Sequence, residues 1–105
     1  MAIGRNQPVV INSATITAQG ISTALNITAS TLVKAGQGRV AKAMINTAGS
    51  TAGGIYDSAT VGGVSASNLV AVLPNTVGMY TVDFPIKNGL VIVTGTGQVL
   101  SVSYI

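Results

Sequence analysis

The sequence predicts an all-β, single-domain fold: an antiparallel β-sandwich or jelly-roll-like barrel of about eight short strands. Three observations carry this expectation. The chain holds 13 Gly and 3 Pro among 105 residues, and its turn residues recur about every ten positions, the spacing of short antiparallel strands. Between the turns lie runs of Val, Ile, Thr and Ala, several of which fit a pleated, half-buried surface. No window combines good helix formers with an apolar stripe of period 3.6. Ala41 and Ala43 favour helix in isolation, but β-branched neighbours and the flanking Gly-x-Gly turn mark their segment as strand.

Residues 1–7 read as a polar N-terminal arm and residues 8–105 as the single β domain. Residues 8–11 form a first extended segment, and 14–18 (ATITA) alternates Thr with apolar residues. In 23–28, Leu25 and Ile27 share one face, with Asn26 and Thr28 on the other. Residues 31–34 run into the turn 35–38, and 39–47 returns from it. A short strand at 53–57 carries Ile55 and Tyr56, and 58–68 is a loop or ragged edge. Residues 69–73 and 90–93 are apolar at every position, so each expects cover on both faces. In 79–84, Tyr80, Val82 and Phe84 point inward while Thr81 and Asp83 point out. Pro85 ends that strand, because proline has no donor for a ladder. Asn88-Gly89 then signals a two-residue hairpin with positive φ at both central positions. Residues 98–104 close the chain with Leu100, Val102 and Tyr104 on one face and Ser101 and Ser103 on the other. An internal echo pairs 32–40 (LVKAGQGRV) with 91–99 (VIVTGTGQV), read as two hairpins that meet one steric demand with the same glycines.

The surface composition is unusual. Charged residues are 7% of the chain, against about a quarter in ordinary globular proteins. Glu is absent, and Asp57 and Asp83 are the only acids. The polar surface therefore consists of Ser, Thr, Asn, Gln and backbone, which lose less on desolvation than ions do. Such a chain reads as a subunit whose faces are covered in an assembly. The net charge of +3 comes from Arg5, Lys34, Arg39, Lys42 and Lys87, which are scattered. With only Tyr56, Tyr80, Phe84 and Tyr104 as aromatics there is no stacking platform, so no nucleic-acid partner is expected. Lys34, Arg39 and Lys42 read as a solvated turn. The aliphatic runs fall far short of the ~20 residues of a spanning helix, so no membrane partner is expected and the chain reads as soluble. Residues 1–10 lack the apolar core of a secretory signal.

Catalytic equipment is missing at the level of residue types. The chain contains no His and no Cys, which removes the commonest general base, the usual metal ligands and any disulfide. Asp57 and Asp83 are the only available carboxylate pair, and they read instead as a turn cap and a solvent-facing strand residue. No Ser stands three residues before a Lys. Gly36-Gln37-Gly38 and Gly95-Thr96-Gly97 lack the third glycine and following helix of a dinucleotide fingerprint. The Asn26-Ile27-Thr28 sequon is a chance-level match. No catalytic, cofactor or metal residue is therefore expected, and the chain is not expected to be an enzyme.

Residues 76–104, TVGMYTVDFPIKNGLVIVTGTGQVLSVSY, together with 47–57, TAGSTAGGIYD, resemble the small β-rich virion proteins of tailed bacteriophages. The resemblance covers a little over half of the chain and consists of turns and strands without catalytic content. It implies a decoration or cement protein on the capsid exterior, bridging major capsid protein subunits. It also implies a homo-oligomer, with a trimer favoured. Rival readings are a glycan- or receptor-binding fibre or spike module, a bacterial surface or pilus subunit, and another head–tail component.

Overall fold

The computed structural model describes residues 20–105. The polar arm and the expected extended segments at 8–11 and 14–18 lie outside the described residues. Strands follow in the order β1 (Ser22–Ile27), β2 (Thr31–Ala35), β3 (Gly38–Thr47), β4 (Gly53–Asp57), β5 (Leu69–Leu73), β6 (Gly78–Ile86), β7 (Gly89–Val93) and β8 (Val99–Tyr104). Short 3₁₀ turns at Val61–Gly63 and Ala66–Asn68 occupy the loop between β4 and β5. Thr60 Oγ1 accepts from Gly63 N–H at 3.1 Å, and Asn68 Oδ1 accepts from Ser65 N–H at 2.9 Å, so the loop is stitched by its own side chains.

The strands form two four-stranded antiparallel sheets, ordered β1-β8-β3-β6 and β2-β7-β4-β5. Pairing is nested: β1 with β8, β2 with β7, β3 with β6 and β4 with β5. The chain is thus one long antiparallel ladder, doubled back at 58–68 and rolled up. Contacts of β3 with β8 and of β4 with β7 complete the sheets. This is the winding of a jelly roll, and it agrees with the all-β sandwich expected from the sequence.

Rolling the ladder means that every connection except β4 to β5 crosses from one sheet to the other. Three expected hairpins are therefore corners. Asn88-Gly89 joins β6 in one sheet to β7 in the other, and neither residue has positive φ. Gly89 is needed for close approach: a Cβ there would run into the Ser58 carbonyl, whose own N–H donates back to Gly89 O at 2.9 Å. The two Gly-x-Gly turns are likewise equivalent corners, β2 to β3 and β7 to β8. Each uses one glycine for left-handed backbone (Gly36 at φ 77°, Gly97 at φ 74°) and the other where backbone crowds it. Gly38 lies against the Ile105 carbonyl and Gly95 against the Thr51 carbonyl.

Bulges revise several expected facings. The β1–β8 register slips between Ala24 and Ile27, and Asn26 turns left-handed at φ 54°. Leu25 is consequently 71% exposed while Ile27 is buried, so the two do not share a face. In β6 the left-handed Asp83 (φ 51°) sits where the β3 register slips, which leaves Phe84 49% exposed instead of inward. Pro85 does not end β6, which continues to Ile86; β6 is an edge strand, where a missing donor can face away from the ladder. β5 is also an edge strand, so Leu69 and Val72 stay exposed and its expected two-sided burial fails. β7, inside its sheet, is buried at Leu90, Val91 and Ile92 as expected.

The core lies between the sheets. Ile27, Val40, Ile45, Ile86, Leu100 and Val102 come from one sheet, and Ile55, Leu73, Leu90 and Ile92 from the other. The inward set of β8 follows the expected alternation, with Tyr104 packed on its margin. Ile55 is fully buried on a strand with a neighbour on each side. Truncating it, Ile55→Ala, removes buried methyl groups at a site that cannot collapse freely and is expected to cost about 2–5 kcal/mol. Urea unfolding followed by circular dichroism measures this loss.

Candidate interaction surface

The strand register sorts the loops into two ends of the sandwich. Ser22 lies opposite Tyr104, Ala35 opposite Gly89, Gly38 opposite Ile86 and Asp57 opposite Leu90. Corners 36–37 and 87–88, the start of the 58–68 loop, and residues 20 and 105 therefore gather at one end. Loops 28–30, 48–52, 74–77 and 94–98 gather at the other. Among the described residues, Lys34, Arg39, Asp57, Asp83 and Lys87 belong to the first end, with Lys42 farther along β3. Among the described residues, the loops of the opposite end carry no Lys, Arg, Asp or Glu.

At the charged end, both carboxylates are committed to structure. Asp57 Oδ2 accepts from Lys87 N–H at 3.0 Å, and its Oδ1 accepts from Asn88 N–H at 2.7 Å and Gly89 N–H at 3.4 Å. One side chain thus satisfies three successive amides of the β6–β7 corner. Burial is the largest single influence on its pKa and pushes it up, but the three amides and the Lys87 charge together hold it below the ordinary carboxylate value. Gly36 N–H donates to the Asn88 carbonyl at 3.0 Å, bracing the β2–β3 corner on this one. Asp83 pairs with Arg39, whose Nε donates to Asp83 Oδ1 at 3.0 Å, with a second contact from Nη2. The two Asp residues stand on strands of different sheets, each with its own partners. Among the cations, Arg39 is paired with Asp83, and the Lys34 stem lies over Gly38.

At the other end the loops are braced against one another by hydrogen bonds. Gln98, 1% exposed, accepts from Gly95 N–H at 2.9 Å through Oε1 and donates from Nε2 to the Pro74 carbonyl at 3.0 Å. Thr51 Oγ1 accepts from Thr96 N–H at 2.8 Å, and Ser50 N–H donates to the Thr96 carbonyl at 2.8 Å. Asn75 Nδ2 donates to the Gly49 carbonyl at 3.4 Å. Loops 48–52, 74–77 and 94–98 are thereby cross-linked without a charge. They present Ser50, Thr51, Asn75, Thr76, Val77 and Thr96 to solvent. On the adjoining outer face of the β1-β8-β3-β6 sheet, Met44 lies between Met79 and Ser101 in register, and the cation Lys42 between Thr81 and Ser103.

Sequence reasoning assigned no catalytic, cofactor or metal residue, so there was no predicted site for the structure to assemble. It missed Gln98 as the clasp between loops and read it only as the start of a strand. The available signal was a long amide placed directly after Gly95-Thr96-Gly97, a turn whose buried amides need an acceptor.

Gln98→Leu keeps the volume but leaves the Gly95 N–H and Pro74 carbonyl without partners. Each orphaned buried group costs about 1–3 kcal/mol, and the shift in urea midpoint reads the sum. Asp57→Asn is expected to be less stable than the parent at neutral pH. The Asp57 contribution is present above its unfolded-state pKa of about 3.9 and is lost as pH falls through the lower folded-state value. The stability gap between the two proteins therefore closes on acidification, which urea titrations from neutral pH to about pH 3 would follow. No protein-family model, curated protein or solved structure matches this chain.

Proposed function

We propose that this chain is a non-enzymatic structural virion protein: a decoration or cement subunit that binds the exterior of a phage capsid shell as an oligomer. The observation that carries the reading is the uncharged, pre-braced platform at one end of the sandwich. A surface of hydroxyls, amides and small apolar groups is desolvated at less cost than an ionic one, and its fixed loops lose little conformational freedom on docking. The resemblance of residues 47–57 and 76–104 to small phage virion proteins supplies the partner, the major capsid protein. The jelly-roll winding is compatible, since it recurs in viral capsid domains; it recurs in lectins as well, so the winding by itself names no function. A cement acts by adding contact area at many equivalent joints, so modest affinity per copy stabilises the whole shell.

Binding to tailed-phage heads stripped of their outer proteins tests this directly by co-sedimentation. Among the described residues the platform carries no charge, so retention is expected to change little between about 0.05 and 0.5 M salt, over which the screening length falls about threefold. Failure to bind heads, or binding abolished by salt, refutes the reading. A clear hit on a glycan array in the absence of head binding replaces it with the receptor-binding alternative.

A further inference from the structure

Gly89 is required at its corner by sterics, since a Cβ there would meet the Ser58 carbonyl, and it makes Asn88-Gly89 the one Asn-Gly pair of the sequence. That pair carries a chemical liability. The Gly89 nitrogen, unhindered by a side chain of its own, can attack Asn88 Cγ. An N–C bond forms from the nitrogen lone pair, the nitrogen gives its proton to solvent, and the side-chain nitrogen leaves with its bonding pair as ammonia. Water then opens the resulting succinimide. Opening at Cγ leaves an aspartate at position 88, and opening at the main-chain carbonyl leaves the β-linked isoaspartate. One water is consumed and one ammonia released. Asn88 is exposed, so water reaches it.

We infer that Asn88 is the spontaneous deamidation site of this chain and that Asp57 keeps it unreactive in the folded protein. Two features of the corner carry this. The first is mechanical. Ring closure needs a ψ at Asn88 outside the strand and helix basins, so the peptide plane between Asn88 and Gly89 must turn. Both polar atoms of that plane are pinned: the Asn88 carbonyl accepts from Gly36 N–H at 3.0 Å, and Gly89 N–H donates to Asp57 Oδ1 at 3.4 Å. Asn88 N–H donates to the same oxygen at 2.7 Å and holds the residue from its other side. The second is electrostatic. The attacking species is the deprotonated Gly89 nitrogen, and a carboxylate that accepts from its N–H favours the protonated form over the anion. Asp57 thus opposes the attack through its bonds and through its charge. Conversion also weakens the corner it occurs in. It sets a new carboxylate beside the Asp57 carboxylate, and the β-linked form adds a backbone atom where the Ser58 carbonyl already lies against Gly89.

Peptide mapping by mass spectrometry, on the full chain incubated at mildly alkaline pH, reads the rate at which each Asn becomes aspartate or isoaspartate. In concentrated urea Asn88 is expected to convert before any other Asn. In buffer the folded parent is expected to convert it at least about a hundredfold more slowly than in urea, which corresponds to about 2.7 kcal/mol of closure at the corner. Asp57→Ala, with the circular dichroism spectrum of the parent, is expected to convert Asn88 about tenfold faster than the folded parent. Gln98→Leu weakens the opposite end and leaves this corner alone, so it is expected to keep the parent rate and separates local from global opening. The inference is overturned by another Asn converting first in urea, by a folded parent as fast as the unfolded one, by Asp57→Ala no faster than the parent, or by Gln98→Leu as fast as Asp57→Ala. Should Asp57→Ala not fold, Asp57→Asn takes its place, keeping an acceptor but not the charge. It is expected to convert Asn88 faster than the parent, and a rate equal to the parent's overturns the inference.

Discussion

Hydrogen-bond pairing between strands remote in sequence is the constraint on which the other features of the molecule depend. Because β1 pairs with β8, β2 with β7 and β3 with β6, consecutive strands other than β4 and β5 are assigned to opposite sheets. Each of those connections must then climb across the core thickness, about 10 Å in a sandwich, within very few residues. Tight corners bring backbone onto backbone, which explains why Gly38, Gly89 and Gly95 each lie against a carbonyl that a Cβ would strike. The same corners leave amides that no ladder can satisfy, and Asp57 and Gln98 supply the missing acceptors. Glycine placement, the Asp57 clasp and the Gln98 clasp are three local answers to one topological demand.

That demand also sorts the chemistry of the surface. The corner at 87–88 is held by a carboxylate, and its cations stand nearby; the corner at 94–98 is held by a neutral amide and a threonine hydroxyl. Among the described residues the consequence is one end that carries charge and one whose loops carry none. Asp57 stands where three corner amides need an acceptor, and Asp83 stands where it pairs with Arg39.

Much of the fold was legible in the sequence, and the limit falls at a definite physical level. The bounds of 53–57 and 69–73 coincide with β4 and β5, and the alternation in 98–104 gave the inward set of β8. These are local signals, since a residue reports whether its own backbone is extended and which side is apolar. Partner choice is not local. Asn88-Gly89 reads as a hairpin because glycine is compatible with positive φ, yet here it answers a contact with Ser58 from a loop some thirty residues away. Bulges are equally silent: nothing in the alternation of Leu25 and Ile27 announces that Asn26 will turn left-handed between them. An all-apolar strand such as 69–73 states only that it tolerates burial, and sheet order decided that one of its faces stays open. The candidate surface was legible as composition, in the scarcity of charge, and illegible as position, because segregation into two ends follows from strand direction.

The loop at 58–68 has a kinetic meaning as well as a structural one. It is the sole connection that joins partners in the same sheet, so β4 with β5 closes the smallest loop in the molecule. Each further pair encloses the one before it, from β3 with β6 out to β1 with β8, whose union spans nearly the whole described chain. Closure entropy rises only slowly with loop length, yet contacts of such long range place the fold among the slow class of all-β topologies. A chain that zipped outward from the stitched turns of Thr60 and Asn68 would present each new strand with an edge already formed, and β1 would be the last of the described strands to pair.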